Sequence, residues 1–203
     1  MEKKLKILNK HGQKLVGILH DTGSLQLVIL CHGFRSTKEN RIMVTLAAAF
    51  EKEGISAFRF DFSGNGESEG TFQFANYFDE VEDLRSVVEY FDLSKRSTIA
   101  VLGHSKGGDV VLLYASKYHD IPSVINVSGR YDLSRGLEER YGKDMWEKLK
   151  KNGYIDVKTK TGELEYRVTE ESIKDRVNTN MHEACLSIDT RCRQSMYANK
   201  EHG

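Results

Sequence analysis

Cysteine is scarce in this 203-residue chain. The three present, Cys31, Cys185 and Cys192, form no C-x-x-C pair and no metal-ligand spacing. That pattern predicts free thiols in a reducing compartment and no metal site. Cys31 closes an apolar run and reads as a small buried residue. An excess of one charge is also lacking: Lys+Arg and Asp+Glu both number 30, a net charge of +0. This argues against nucleic acid or an anionic membrane as the main partner. No apolar run approaches the roughly 18 residues of a membrane span. Met1-Glu2-Lys3-Lys4 is not followed by the apolar stretch of a secretory signal, so a cytoplasmic location is expected. Gly64-Asn65-Gly66 lacks the third glycine of a dinucleotide fingerprint, and no Gly-Lys-Ser/Thr follows. No cofactor is expected.

What the chain does contain is enough for one domain with a real core: 39% hydrophobic and 30% charged residues. The organising stretch is residues 98–108, T-I-A-V-L-G-H-S-K-G-G. Residues 99–102 read as a short buried strand. Gly103-His104-Ser105-Lys106-Gly107 is a G-x-S-x-G pattern, and Val110, Leu113 and Tyr114 lie on one face of the helix expected after it. Strand, tight turn, serine and helix together predict a nucleophile elbow with the Ser105 hydroxyl held out of the sheet. A surface serine in a glycine-rich turn is the alternative. The helix start would place free N–H groups and a positive dipole end beside that hydroxyl, which suits an oxygen nucleophile that generates an oxyanion.

Around this stretch, strands alternate with helices. Residues 5–8 and 15–19 suggest an opening hairpin, and 25–30 a central strand that ends in His32-Gly33-Phe34. A helix is expected from about Asn40 to Gly54, a strand at 55–60, a helix at 77–90 and a strand at 123–127. The sheet should be mostly parallel with helices on both faces. Gly33, Asp61, Ser105 and Gly129 all fall at carboxyl ends of strands, where ligands bind in such folds. Residues 130–180 are charge-dense. They predict a helix at 138–151, a weak hairpin across Thr161-Gly162 and a helix after Thr169. This segment reads as an insertion covering the site, with a solvated surface excursion as the alternative. Residues 189–203 show no period and read as a poorly ordered tail.

His32-Gly33-Phe34, the loop from Asp61 to Ser68 and the Ser105 pattern together resemble the α/β-hydrolase superfamily. The similarity is greatest to its monoglyceride-lipase-like and serine-aminopeptidase-like branch and to cinnamoyl and feruloyl esterases. The resemblance implies an α/β-hydrolase fold, Ser105 as nucleophile, and the backbone N–H groups of Phe34 and Lys106 as an oxyanion hole. It implies a small-molecule ester or acyl substrate, and a structural role for the loop of residues 61–68. The family orders its triad as serine, acid, histidine, the last two following further strands. Here the sequence after Ser187-Ile188-Asp189 turns polar. The expectation is therefore an incomplete core over 1–188, lacking the last two strands, the usual acid and the usual histidine, as in a truncated product. His32 and His104 fit structural positions, and His182 and His202 have no sequence support as substitutes; Asp132 follows the strand after the elbow, where some members of the family keep an alternative acid, but without a histidine it orients nothing. The sheet should then end at Ser123 to Val127, leaving Val124, Ile125 and Val127 partly wetted and an edge open to self-association. A catalytically impaired, binding-only protein is the alternative reading.

Overall fold

A computed structural model describes residues 1–198. β1 (Glu2–Leu8) and β2 (Lys14–His20) pair as the opening antiparallel hairpin. Asn9 shapes its turn by accepting the amides of His11 and Gln13, each at 3.0 Å. β3 (Gln26–Cys31) is buried from Leu27 onward. α1 (Arg41–Lys52) starts where the Asn40 side chain accepts the Ile42 amide at 2.9 Å. The chain then continues through β4 (Ser56–Phe60), α2 (Tyr77–Leu93), β5 (Ser97–His104), α3 (Lys106–Tyr118) and β6 (Ser123–Val127).

Alternation along the strands decides what each face buries. Leu27, Ile29 and Cys31 of β3 join the larger core cluster with α2 and α3, whereas Val28 and Leu30 join the smaller one with Met43 and Ala47 of α1. Helices therefore lie on both faces, as the continuous apolar runs predict. Each such fully buried side chain contributes about 1.5–3 kcal/mol.

The segment after β6 forms α4 (Leu137–Tyr141), α5 (Met145–Asn152), a separate antiparallel pair β7 (Tyr154–Lys158) and β8 (Leu164–Thr169), then α6 (Glu170–Asn178) and α7 (Met181–Ser187). The single helix expected at 138–151 is two. Gly142, with φ at 91°, breaks it. The helix expected after Thr169 is α6, closed by a capping box between Thr169 and Ser172. Leu137, Met145, Leu149, Val168 and Ile173 belong to the larger core cluster, so these elements are not a solvated excursion. Tyr166 of β8 packs edge-on against Phe34 and Phe72, with centroids 5.7 and 5.6 Å away.

The expectation for the tail is corrected over part of its length. β9 (Arg193–Tyr197) adds a parallel strand to β6, so the sheet runs β1-β2-β4-β3-β5-β6-β9, parallel except at β1 and β2. R-Q-S-M-Y has little apolar content because an edge strand pairs through its backbone and needs only one covered face. The sheet does not end at β6, which removes the premise for self-association through that edge. One strand lies beyond β6 where two were expected to be missing. Val124 is fully buried, while Ile125 and Val127 on the α1 face remain half-buried. His202 lies outside the described residues. No helix among those residues is long and apolar enough to cross a membrane.

β9 closes five residue pairs on β6 and leads into Ser128 N–H donating to the Tyr197 carbonyl at 2.7 Å. A chain ending at Asp189 should lose roughly 10 °C of Tm or more and aggregate on size-exclusion chromatography. An unchanged melt with a monomer peak would show that β9 adds nothing.

Candidate active site

The site is built by a turn with no room for side chains. A Cβ on Gly103 would overlap the Gly107 carbonyl, and one on Gly107 would overlap the Cys31 carbonyl. β5, the start of α3 and the end of β3 are thus in backbone-to-backbone contact, which only glycine permits. Ser105 sits at the junction with φ 54° and ψ −123°, a conformation costly for a residue with a side chain. Its backbone is clamped: its N–H donates to the Val127 carbonyl at 2.8 Å, and its carbonyl accepts Gly108 N–H at 2.8 Å. The Gly33 backbone comes close enough that an added Cβ would lie 3.1 Å from Ser105 Cβ.

Phe34, Ser105 and Lys106 line one cavity of about 80 Å³, together with Tyr77, Asp109, Arg130, Leu133, Arg140 and Arg176. The structure thus brings together the three residues singled out from sequence. Among the described residues, neither the Phe34 nor the Lys106 amide has a hydrogen-bond acceptor, and Lys106 is the first residue of α3, where amides lack helical partners. The loop after β4 holds the site from below. Asp61, fully buried, accepts Lys38 N–H at 2.6 Å, Lys38 Nζ at 2.7 Å and Glu67 N–H at 3.0 Å.

No histidine among the described residues hydrogen-bonds to Ser105. His32 uses both ring nitrogens: Nε2 accepts Phe62 N–H at 3.1 Å, so Nδ1 carries the proton and donates to the Gly33 carbonyl at 2.8 Å. Burial lowers its pKa to about 4, with the Gly33 hydrogen bond opposing. Burial also lowers His104. His182 is exposed and pairs through Nδ1 with the Tyr131 hydroxyl at 2.8 Å. Asp132 is exposed and accepts from Ser134, which lowers its pKa.

Two carboxyls near Ser105 were not singled out from sequence. Glu80 of α2 is buried and takes Lys106 Nζ at 2.7 Å; burial raises its pKa to about 7 against the pull of Lys106. Asp109 of α3 is only 2% exposed, and its Oδ1 has no hydrogen-bond partner among the described residues. It lines the Ser105 cavity and also a second, apolar cavity of about 190 Å³ beside Leu112, Met181, Cys185, Met196 and Tyr197. The legible signal was an acid directly before the apolar run V-V-L-L of a helix; an acid buried there must be neutralised or paired.

Burial holds the Asp109 carboxyl protonated up to about pH 8, against 3.8 for an exposed one. The unfolded chain ionises first as pH rises. The raised value therefore supports the fold fully below the unfolded pKa, and this support is lost as pH climbs towards 8. Asp109→Asn should flatten that decline and melt several degrees above the wild type at pH 9, with little difference at pH 4. Thermal melts across that range check it; parallel curves for the two proteins would refute it.

Known proteins agree with this architecture. An α/β hydrolase, GrgF from Penicillium sp. sh18, superposes with a TM-score of 0.75 at 17% identity, over 98% of this chain and 90% of that one. Est1E from Butyrivibrio proteoclasticus, solved with ferulic acid bound, gives 0.67 at 18% identity over 98% and 92%. At such identities the likeness is one of fold. An uncharacterized 31.7 kDa protein of the traX-finO intergenic region in Escherichia coli is 29% identical over 103 residues, which are 49% of this chain and 36% of that protein. The chain thus matches only about a third of that relative's length. The pattern of the serine aminopeptidase S33 family matches residues 23–182, and with the elbow, the parallel sheet and these neighbours it places the chain in that family of α/β hydrolases.

Proposed function

We propose that the chain is a serine ester or acyl hydrolase of small-molecule substrates, with Ser105 as nucleophile and the Phe34 and Lys106 amides as its oxyanion hole. One observation carries this reading: Ser105 stands in a strained conformation at a strand–helix junction, in the same cavity as two amides that have no acceptor among the described residues. In the reaction, Ser105 Oγ would attack the acyl carbon and release its proton. The carbonyl oxygen would gain the negative charge, and the two N–H groups would take it up. The alcohol would leave with a proton, and water would then release the acid. The elements from α4 to α6 would act as a cap, with Tyr166 on Phe34 limiting access.

A second reading has its own support. Among the described residues no imidazole reaches Ser105, and losing a triad member costs roughly a thousandfold in rate or more. Such a chain would bind its substrate without measurable turnover.

A fluorophosphonate probe followed by peptide mass spectrometry separates the outcomes. The expected result is an adduct on Ser105 that is absent in Ser105→Ala, with slow hydrolysis of 4-nitrophenyl butyrate. An adduct with no measurable turnover supports the binding reading. No adduct on Ser105 contradicts the hydrolase proposal.

A further inference from the structure

Four cationic side chains, Lys106, Arg130, Arg140 and Arg176, line the cavity at Ser105. Lys106 is paired with Glu80 at 2.7 Å. The three guanidiniums are not, since none forms an ion pair among the described residues. Arg130 donates to the Arg135 carbonyl at 3.1 Å. Arg176 donates through Nε to the Leu133 carbonyl at 2.7 Å and through Nη1 to the Tyr77 hydroxyl at 3.2 Å. Arg140 lies over the Phe34 ring, 5.1 Å from its centroid.

This contrasts with the rest of the molecule. Arg35, Arg59, Arg85, Arg96, Arg167 and Arg191 all lie against carboxylates. The acid-rich chain had partners to offer, with net charge +0, yet three arginines from separate elements converge unpaired on one small cavity. A guanidinium forks onto carboxylate or phosphate oxygens, and it does so most strongly where water is displaced.

We propose that the site selects an ester or thioester that also carries an anionic group, a carboxylate or a phosphate, bound by Arg130, Arg140 and Arg176 while the acyl carbon faces Ser105. The position of the acyl carbon rests on the hydrolase reading above; the anion site itself does not. The one acid in the lining, Asp109, does not cancel the cationic charge at neutral pH, because burial keeps it protonated. A lipid ester without charge would leave the three guanidiniums desolvated and unpaired, which costs affinity.

The test uses Ser105→Ala protein, so that binding is read apart from turnover. Monomethyl succinate and 2-acetoxyethyl phosphate are the anionic probes, and dimethyl succinate is the neutral control, each followed by calorimetry or NMR titration. The expected result is a preference of roughly tenfold or more for one anionic probe over the control, weakening as salt rises. The stronger of the two anions tells carboxylate from phosphate. Adding Arg130→Gln and Arg140→Gln should abolish the preference. Both arginines are exposed, so the fold should survive; if the double variant melts early, Arg140→Gln alone decides. Equal affinity for charged and neutral probes, or a preference that outlives the arginine changes, overturns the proposal. Failure of fluorophosphonate labelling alongside anion selectivity would overturn the hydrolase reading and leave the anion site standing.

Discussion

The structure depends on a contact between backbones. β3, β5 and α3 meet where Gly103 and Gly107 leave no space for a Cβ. Because the three main chains touch, the first turn of α3 is fixed relative to the ends of β3 and β5. That fixes Ser105, its strained φ, and the amides of Lys106 and Phe34 in one place. Packing of larger side chains then follows from it: α3 can bury Val110, Val111, Leu112 and Tyr114 against the sheet only at this close approach.

The electrostatics of the site are set by the same burial. Lys106 follows Ser105 directly, so its side chain must enter the interior, and it does so with Glu80 at 2.7 Å and the Tyr77 ring 5.1 Å from Nζ. A buried pair of this kind is weak evidence for stability, but removing one partner alone strands a charge at a cost of about 3–5 kcal/mol. Asp109, one turn further on, has no such partner for Oδ1 and stays protonated instead. Among the described residues the neighbouring guanidiniums are then left without an ion-pair partner, and the cavity lining is cationic in a chain of zero net charge.

Much of the fold was legible because burial imposes a pattern. The runs at β3 and over residues 99–102 of β5 are continuous in apolar residues since helices cover both faces, and the caps at Asn40 and Thr169 mark their helices locally. β9 escaped notice because its stability comes from backbone pairing with β6, which leaves no trace in R-Q-S-M-Y. The turn carrying Ser105 and Lys106 could be read locally because strand, G-x-S-x-G and helix are contiguous in the sequence, whereas Phe34 was singled out only through the family resemblance of His32-Gly33-Phe34. Arg130, Arg140 and Arg176 were not. They lie on separate parts of a charge-dense segment, and only tertiary packing of α6 and the loops about α4 brings them to one wall. Asp109 was within reach, as a lone acid on an apolar helix face.

The central claim is that Ser105 and two backbone amides form an acyl-transfer site. A crystal structure of the protein soaked with a small carboxyalkyl boronic acid tests it most directly, because a serine oxygen adds to boron to give a tetrahedral anion. The account predicts a covalent bond from Ser105 Oγ to boron. One boronate oxygen should lie within about 3 Å of both the Phe34 and Lys106 nitrogens. A boronate absent from Ser105, or one whose oxygens point away from those amides, would contradict it.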